Sequence, residues 1–229
     1  MIKLIIFDWD DVITLGSKEG YFKCYHETMA DLGVVLDMEE ERKRILAKWG
    51  KSQIEELREL LKERPEMVEK AHEIYERKLF GNTFVDELRI NDGTIELLQK
   101  LNLDYKLCVA TAANPRLLKE VVMPKFNIPQ VFSQIIFSCE ISDPEKQKPH
   151  PYMLEEIMRT QRMKPEETIL VGDSKAEVIM ARNASALPVV VLTGHLNREE
   201  AEELNVESII EDVTYLPGVL EKIDAGFIR

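Results

Sequence analysis

Residues 4–12 read Leu-Ile-Ile-Phe-Asp-Trp-Asp-Asp-Val, an apolar run that ends in three closely spaced carboxylates. The apolar half, residues 4–6, predicts a short buried strand. Burial of Asp8, Asp10 and Asp11 together is unfavourable, because like charges repel and each carboxylate loses hydration. A divalent cation such as Mg²⁺ would resolve the conflict, since it prefers oxygen ligands. Taken alone, the segment is equally compatible with a solvated turn, where Asp is common.

The composition indicates a folded, strongly acidic chain. Its 229 residues suffice for one large or two modest domains. Hydrophobic residues make up 45% of the chain, enough for a core, and the charged 31% are spread along it, which argues against disorder. The net charge of -12 disfavours nonspecific nucleic-acid binding. The expected partner is a small molecule rather than nucleic acid, and the expected assembly is a monomer or a homodimer.

The three cysteines, Cys24, Cys108 and Cys139, are odd in number and lack paired spacing, which argues against a disulfide framework and a zinc site. Reduced thiols predict a cytoplasmic location. No stretch approaches the roughly 18 apolar residues of a membrane helix. The chain also enters a strand without a signal-peptide pattern, so we expect neither a membrane anchor nor secretion.

Residues 17–81 lack an apolar strand run and show helical spacing. Ser17 is expected to cap the first helix and Gly33 to follow it. The predicted helices are Ser17–Leu32, Met38–Trp49, Gln53–Lys62 and Pro65–Leu79. We therefore expect this block to form a bundle of about four helices.

From about residue 92 onward, short apolar strands alternate with helices. The predicted strands are Tyr105–Ala110, Ser133–Ser138, Thr168–Val171, Pro188–Leu192 and Val206–Ile210. The predicted helices are Thr94–Leu101, Arg116–Phe126, Pro151–Arg162, Lys175–Ala184 and Val213–Ile223. Such alternation predicts a parallel sheet covered by helices on both faces. The first strand, Lys3–Phe7, must join this sheet because the helical block offers it no partner.

The expected fold class is therefore α/β: a Rossmann-like, three-layer parallel sheet core with an inserted α-helical bundle. The core domain is expected to comprise residues 1–14 and 88–229, and the insertion residues 15–87. The chain then crosses between them twice, near residues 13–17 and 82–91.

Ligands collect beyond the carboxyl ends of the strands in an open parallel sheet. The reactive side chains near the predicted strand ends are those of Asp8, Asp10, Thr111, Lys148, Asp173 and Glu177. They provide the carboxylates, hydroxyl and cation that phosphoryl transfer through an aspartyl-phosphate requires. Each also has a simpler explanation. Thr111 can merely end a strand, a lysine before proline is usually solvated, and Gly-Asp-Ser is a common turn and helix cap.

In their order along the chain, these residues resemble the four motifs of the haloacid dehalogenase superfamily of phosphatases and phosphomutases. Residues 8–12 match the first motif, Asp-x-Asp-x-Thr/Val, and Thr111 matches the second. Lys148-Pro149 matches the third motif and residues 172–177 match the fourth. The resemblance spans nearly the whole chain. The helical insertion resembles the C1-type cap of the phosphoglycolate phosphatase and β-phosphoglucomutase branch.

The resemblance and the side-chain chemistry together imply roles for the carboxylates. Asp8, ionised at neutral pH, is the expected nucleophile. Asp10 is the expected general acid for the leaving group and then the base for the attacking water. Mg²⁺ is expected to bind the carboxylates of Asp8 and Asp173 and the backbone carbonyl of Asp10.

The remaining motif residues are expected to handle the phosphate. Thr111 and the backbone N–H of Ala112 should bind phosphate oxygens, and Lys148 should neutralise the phosphate and orient Asp8. Glu177 should hold either a metal-bound water or Lys148. Two of the residues that depart from the family pattern lie within the four motifs. Asp11 stands where Gly usually permits a tight loop, and Glu177 replaces the more usual Asp.

The cap is expected to close over the site and to supply specificity. In this branch of the family, a Gly-containing turn between cap helices contacts the leaving group. Gly50 and Lys51 are therefore candidate residues of a substrate loop. The alternative is a plain turn between helices with a surface lysine.

The expected function is Mg²⁺-dependent hydrolysis of a small-molecule phosphomonoester. Asp10 argues against dehalogenation, because a halide leaving group needs no proton. Two alternatives stay open at this point. One is a phosphomutase of the β-phosphoglucomutase type, which shares all four motifs. The other is a noncatalytic protein that binds phosphate or metal, motivated by Asp11 and Glu177.

Overall fold

The computed structural model describes residues 1–49 and 52–227. The candidate substrate-loop residues Gly50 and Lys51 lie outside the described residues. The chain divides into two compact units, which we term the core unit (Met1–Leu15 and Arg89–Arg229) and the inserted unit (Gly16–Leu88). Each boundary falls one residue later than the sequence predicts.

A six-stranded sheet forms the centre of the core unit. Its strands are β1 Leu4–Phe7, β2 Lys106–Thr111, β3 Phe132–Phe137, β4 Thr168–Gly172, β5 Leu187–Val191 and β6 Ser208–Ile210. Their order across the sheet is β3-β2-β1-β4-β5-β6, and neighbouring strands are parallel throughout. The predicted α/β fold class is therefore confirmed.

Strand β1 lies between β2 and β4, and this position decides where polar side chains can meet. Leu4 is in register with Lys106 of β2 and with Thr168 of β4. All side chains of β1 are fully buried, as expected for a parallel strand that is covered on both faces. The carboxyl ends of β1, β2 and β4 are consequently neighbours at one edge of the sheet.

The inserted unit contains helices, turns and short irregular segments, and no strand, among its described residues. Its helices are α1 Ser17–Asp31, α2 Met38–Ala47, α3 Gln53–Leu60, α4 Val68–Leu79 and α5 Asn82–Val85. The first four agree with the prediction within a few residues, whereas the single turn of α5 is not predicted. The assignment of Ser17 as the helix cap is wrong. Gly16 takes that position at φ 86°, a left-handed conformation that glycine adopts without steric cost.

The helices of the core unit flank the sheet. They are α6 Thr94–Asp104, α7 Pro115–Leu117, α8 Met123–Lys125, α9 Tyr152–Gln161, α10 Lys175–Asn183, α11 Arg198–Glu203 and α12 Leu216–Asp224. One buried cluster joins Leu4 and Ile6 of β1 to Met153 and Ile157 of α9 and to Met180 of α10. No helix in the part of the chain that the structure describes is both long and apolar enough to cross a membrane.

Two details of the helix prediction for the core unit are wrong. The single helix predicted over Arg116–Phe126 is interrupted by a π-helical segment, Leu118–Val122. Pro124 in α8 has no N–H with which to continue an α-helical ladder. Helix α11 is missing from the prediction because its six residues are too few to carry a readable apolar period.

The two segments that connect the core unit to the inserted unit begin beside each other, at Leu15 and Arg89. The N–H of Leu15 donates to the carbonyl of Arg89 at 2.8 Å, and the N–H of Arg89 donates to the carbonyl of Leu15 at 3.0 Å. This antiparallel bridge holds the two connections side by side within the core unit.

A buried tyrosine ties the helices of the inserted unit together. The Tyr25 hydroxyl of α1 donates to the Glu56 carboxylate of α3. The Tyr25 ring stacks on Tyr75 of α4 with a centroid distance of 4.3 Å. Burial, with Tyr75 and Glu56 nearby, raises the pKa of Tyr25, so the hydroxyl keeps its proton and acts as a donor.

Tyr25→Phe is expected to lower the free energy of unfolding by about 1–3 kcal/mol, because the buried Glu56 carboxylate loses a donor. Urea unfolding measures the change. Tyr215→Phe, at an exposed position of the core unit, is the control and should leave the unfolding curve unchanged. An unchanged curve for Tyr25→Phe would contradict the stabilising role of this contact.

Candidate active site

Asp8 lies at the carboxyl end of β1. Its N–H donates to the carbonyl of Val171 in β4 at 2.8 Å, which continues the pairing of β1 with β4 one residue beyond Phe7. Asp8 is buried, with 8% of its surface exposed. Regular backbone pairing therefore fixes the point from which this carboxylate projects.

Lys148 reaches the Asp8 carboxylate from the segment between β3 and α9. Its ammonium lies 2.8 Å from Asp8 Oδ1 and 2.9 Å from Glu177 Oε1. All three side chains are nearly buried, so these charge-assisted hydrogen bonds are less screened than surface ion pairs. Lys148 thus joins the loop after β1 to helix α10.

Glu177 holds Lys148 from the first turn of α10. Its Oε2 accepts the N–H of Ser174 at 3.0 Å and also the Ser174 hydroxyl, which forms a capping box. Its Oε1 accepts the Lys148 ammonium. A Cβ atom at Gly172 would lie 2.6 Å from Glu177 Cβ and Cγ, so glycine is needed beside this side chain. Of the two contacts expected for Glu177, the one with Lys148 is present.

Asp173 completes a group of carboxylates suited to a cation. The carboxylate oxygens of Asp8, Asp173 and Glu177 lie within 4.8 Å of one another, and all three residues are buried. When all are ionised, Lys148 compensates one charge and two remain uncompensated among these four side chains. Such an oxygen donor set fits a divalent cation. Both Glu177 oxygens already accept hydrogen bonds, so Asp8 and Asp173 are the better candidates for direct ligands.

Burial and the neighbouring charges shift the pKa values of all four side chains. Burial raises the pKa of Asp8, against the effect of Lys148. Burial, Glu177 and Asp8 raise the pKa of Asp173 well above its usual range. Although burial acts in the opposite direction, Lys148 and the Ser174 hydroxyl lower the pKa of Glu177. Burial acts to lower the pKa of Lys148, but the neighbouring Asp8 and Glu177 carboxylates outweigh it and raise that pKa. A bound divalent cation would favour the ionised carboxylates.

Three further predicted residues lie at the end of β2 or in the loops at this edge of the sheet. Thr111 ends β2 and is fully buried. Its hydroxyl oxygen accepts the N–H of Ala113 at 3.0 Å, and a hydroxyl group that accepts one hydrogen bond can still donate another. Ala112 is exposed. Asp10 is half-buried in the loop after β1, where it forms a backbone bridge with Thr14. The phosphate and acid–base roles of these residues stay predictions.

Asp11 adopts the backbone that glycine would supply in the family pattern. Its φ is 57°, in the left-handed region that Asp tolerates better than most residues. Asp11 is buried, and its carbonyl accepts the Thr193 hydroxyl at 2.5 Å. The departure from glycine therefore leaves the tight loop intact.

The segment after β5, residues 193–196, is not among the residues predicted from the sequence. Its His195 N–H donates to Asp173 Oδ2 at 2.8 Å, and its Leu196 N–H donates to the Asp173 carbonyl at 2.9 Å. The position of this segment in the predicted sheet could have indicated it as part of the site. The predicted strand Pro188–Leu192 ends at the same edge of the sheet, and a hydroxyl residue and a glycine follow it directly.

The chain matches a known protein family over most of its length. The sequence pattern described as haloacid dehalogenase-like hydrolase matches residues 5–191. The chain belongs to the haloacid dehalogenase-like hydrolase family. The resemblance inferred from the four motifs is thus confirmed, and the protein is a hydrolase.

Relatives of this haloacid dehalogenase-like hydrolase are named for phosphate chemistry. It is 27% identical over 147 residues to pyrophosphatase PpaX of Bacillus mycoides (strain KBAB4). These residues cover 63% of this chain and 66%, just under two thirds, of the length of that relative. It is 24% identical to glyceraldehyde 3-phosphate phosphatase of Methanothermobacter thermautotrophicus in an alignment that covers 96% of this chain and 100% of that protein. Its fold is similar to a solved HAD-superfamily hydrolase, subfamily IA, variant 1, from Geobacter sulfurreducens PCA. The TM-score is 0.70, with 22% identity over 96% of each chain.

Lys148→Met is expected to lower the free energy of unfolding by about 3–5 kcal/mol in the absence of divalent cations, because Asp8 and Glu177 lose a shared buried counter-ion. Urea unfolding in EDTA measures the loss. Lys100→Met, at an exposed lysine of α6, is the control and should have no effect. Equal stability of the two variants would contradict the buried ion pair.

Proposed function

We propose that this hydrolase is a Mg²⁺-dependent phosphatase that cleaves a small phosphomonoester through an aspartyl-phosphate. The observation that carries the proposal is the position of the Lys148 ammonium between Asp8 and Glu177, with the Asp173 carboxylate beside them. The residues proposed as the nucleophile, the phosphate-binding cation and the metal ligands are therefore neighbours at one edge of the sheet. Membership of the family supports the same class of reaction.

In the first step, an Asp8 carboxylate oxygen attacks phosphorus and the bond from phosphorus to the ester oxygen breaks. Asp10, in its protonated form, gives its proton to the departing oxygen, which leaves as an alcohol. Lys148 orients Asp8 and offsets the charge of the phosphate. The Thr111 hydroxyl and the Ala112 N–H bind phosphate oxygens.

In the second step, a water oxygen attacks the phosphorus of the aspartyl-phosphate. Asp10, now a carboxylate, takes a proton from this water. The bond from phosphorus to the Asp8 oxygen breaks, which releases inorganic phosphate and regenerates the nucleophile. One carboxyl group therefore serves first as acid and then as base.

Mg²⁺ held by the carboxylates of Asp8 and Asp173 and by the backbone carbonyl of Asp10 would supply positive charge that reduces the repulsion between Asp8 and the phosphate. The oxygen donors and the uncompensated negative charge of the site support this choice of cation. Glu177 fixes Lys148 in the same arrangement. The inserted unit is proposed to be a C1-type cap that supplies specificity, with Gly50 and Lys51 as candidate substrate-loop residues.

Asp8→Asn is expected to reduce phosphate release by about a thousandfold or more, because an amide does not replace the carboxylate nucleophile. The assay measures inorganic phosphate with Mg²⁺ and with EDTA. Its substrates are sugar phosphates, nucleotides, phosphoglycolate, glyceraldehyde 3-phosphate and pyrophosphate, the last two taken from the names of the relatives. Asp92→Asn, at an exposed carboxylate, is the matched control. Retained activity in Asp8→Asn would refute the nucleophile, and full activity in EDTA would refute the metal requirement.

Asp10→Asn is expected to slow release of an alkyl leaving group by about 10²–10³-fold, because the general acid is lost. Release of p-nitrophenol from p-nitrophenyl phosphate should slow much less, since this leaving group needs little protonation. Pre-steady-state measurements isolate the first step for both esters. Equal slowing of the two would contradict the role of Asp10 as the acid.

A phosphomutase would use the same residues but transfer the phosphoryl group to a sugar hydroxyl instead of water. Product analysis after incubation with a hexose 1-phosphate separates the two reactions. Inorganic phosphate is the product expected here, and an isomerised hexose phosphate would overturn the proposal. Mg²⁺ binding without turnover of any ester would instead favour a noncatalytic protein.

A further inference from the structure

The segment after β5, residues 193–196, contacts two loops of the site at once. Thr193 Oγ1 donates to the carbonyl of Asp11, in the loop after β1, at 2.5 Å. The N–H groups of His195 and Leu196 donate to Asp173, directly after β4, at 2.8 Å and 2.9 Å. One short segment therefore holds the loop that contains Asp10 and the residue that carries a candidate metal-binding carboxylate.

Gly194 allows this segment to approach Asp173 so closely. A Cβ atom at position 194 would overlap Asp173 Oδ2 and would lie 2.5 Å from its Cγ. Any other residue would force the carboxylate or the segment to move. By contrast, a Cβ atom at Gly218 in α12 would meet no atom within 4 Å.

We propose that residues 193–196 are a positioning element of the phosphatase site, in which Thr193 holds the loop of Asp10, and Gly194 with His195 sets the Asp173 carboxylate for cation binding. The inference rests on the proposed function, because the roles of Asp10 and Asp173 come from it. Residues 193–196 act through Asp11 and Asp173 and are positioning residues.

The contact with Asp173 has the character of an outer-shell hydrogen bond. A backbone N–H on Oδ2 restricts rotation of the carboxylate and leaves Oδ1 as the oxygen that we assign to the cation. Partners of this kind orient metal ligands, and their loss typically weakens metal binding by about 10–100-fold. Because the His195 N–H belongs to the backbone, its position depends on the close approach at Gly194.

The contact with Asp11 compensates for an unusual backbone. A left-handed conformation is less favourable for Asp than for the glycine usual in the family. The Thr193 hydroxyl binds the carbonyl of that same residue and thereby stabilises the turn. Asp10 directly precedes this turn, so the direction of its side chain depends on the turn being held.

Gly194→Ala is expected to weaken Mg²⁺ binding by about 10–100-fold, measured by calorimetric titration with MgCl₂ and no phosphate ester. Gly218→Ala is the matched control and should bind Mg²⁺ normally. Asp173→Asn is the benchmark for loss of a ligand. Normal binding by Gly194→Ala alongside weakened binding by Asp173→Asn would overturn the inference alone. Normal binding by Asp173→Asn would overturn the proposed metal site and, with it, the role given to Gly194.

Thr193→Val keeps the side-chain shape and tests the same segment without a steric clash. It is expected to slow pre-steady-state release of an alkyl leaving group by about tenfold, the effect of one hydrogen bond. Release of p-nitrophenol should change much less, because the effect acts through Asp10. The matched control is Thr94→Val, since the buried Thr94 hydroxyl has no hydrogen-bond partner among the described residues.

Equal slowing of the two esters by Thr193→Val, or no slowing, would overturn the positioning role of Thr193. If Asp10→Asn still discriminates between the esters, the proposed function stands and only the inference fails. If Asp10→Asn does not discriminate, the assignment of the acid fails, and the role given to Thr193 fails with it.

Discussion

The ion pair that Lys148 makes with Asp8 and Glu177 is the interaction on which the rest of the site depends. Buried carboxylates are unfavourable together, because each loses hydration and each repels its neighbours. Lys148 relieves this conflict only in part, since it supplies one positive charge to a group that also contains Asp173. The charge that remains uncompensated suits a divalent cation and, through that cation, the binding of a phosphate.

The parallel sheet makes this concentration of charge possible. Strand β1 lies between β2 and β4, so the residues that follow the three strands are neighbours although they are far apart in sequence. Pairing of the Asp8 N–H with Val171 and the capping box of Ser174 and Glu177 attach the reactive groups to rigid elements. Catalytic groups held in this way need little reorganisation when a substrate binds.

The two departures that lie within the motifs fit the geometry of the site. Asp11 adopts the left-handed backbone of the glycine that it replaces, and Thr193 holds its carbonyl. Glu177, one methylene longer than the usual Asp, still reaches both Ser174 and Lys148. Neither departure removes a group that phosphoryl transfer requires, so neither argues against catalysis.

The sequence by itself determined the parallel α/β core and the helical insertion, because apolar periodicity is a local property of a chain. Asp8 and Asp173 were candidates because they follow predicted strands, and Lys148 was a candidate because Lys148-Pro149 matches a family motif. It did not reveal α5 and α11, whose few residues carry no period, or the interruption between α7 and α8. The contacts that residues 193–196 make with the site were decided only by the tertiary structure. The bond from Thr193 to Asp11 joins positions 182 residues apart. Such a bond depends on strand order and on how closely two backbones approach, and no local pattern of residues encodes either.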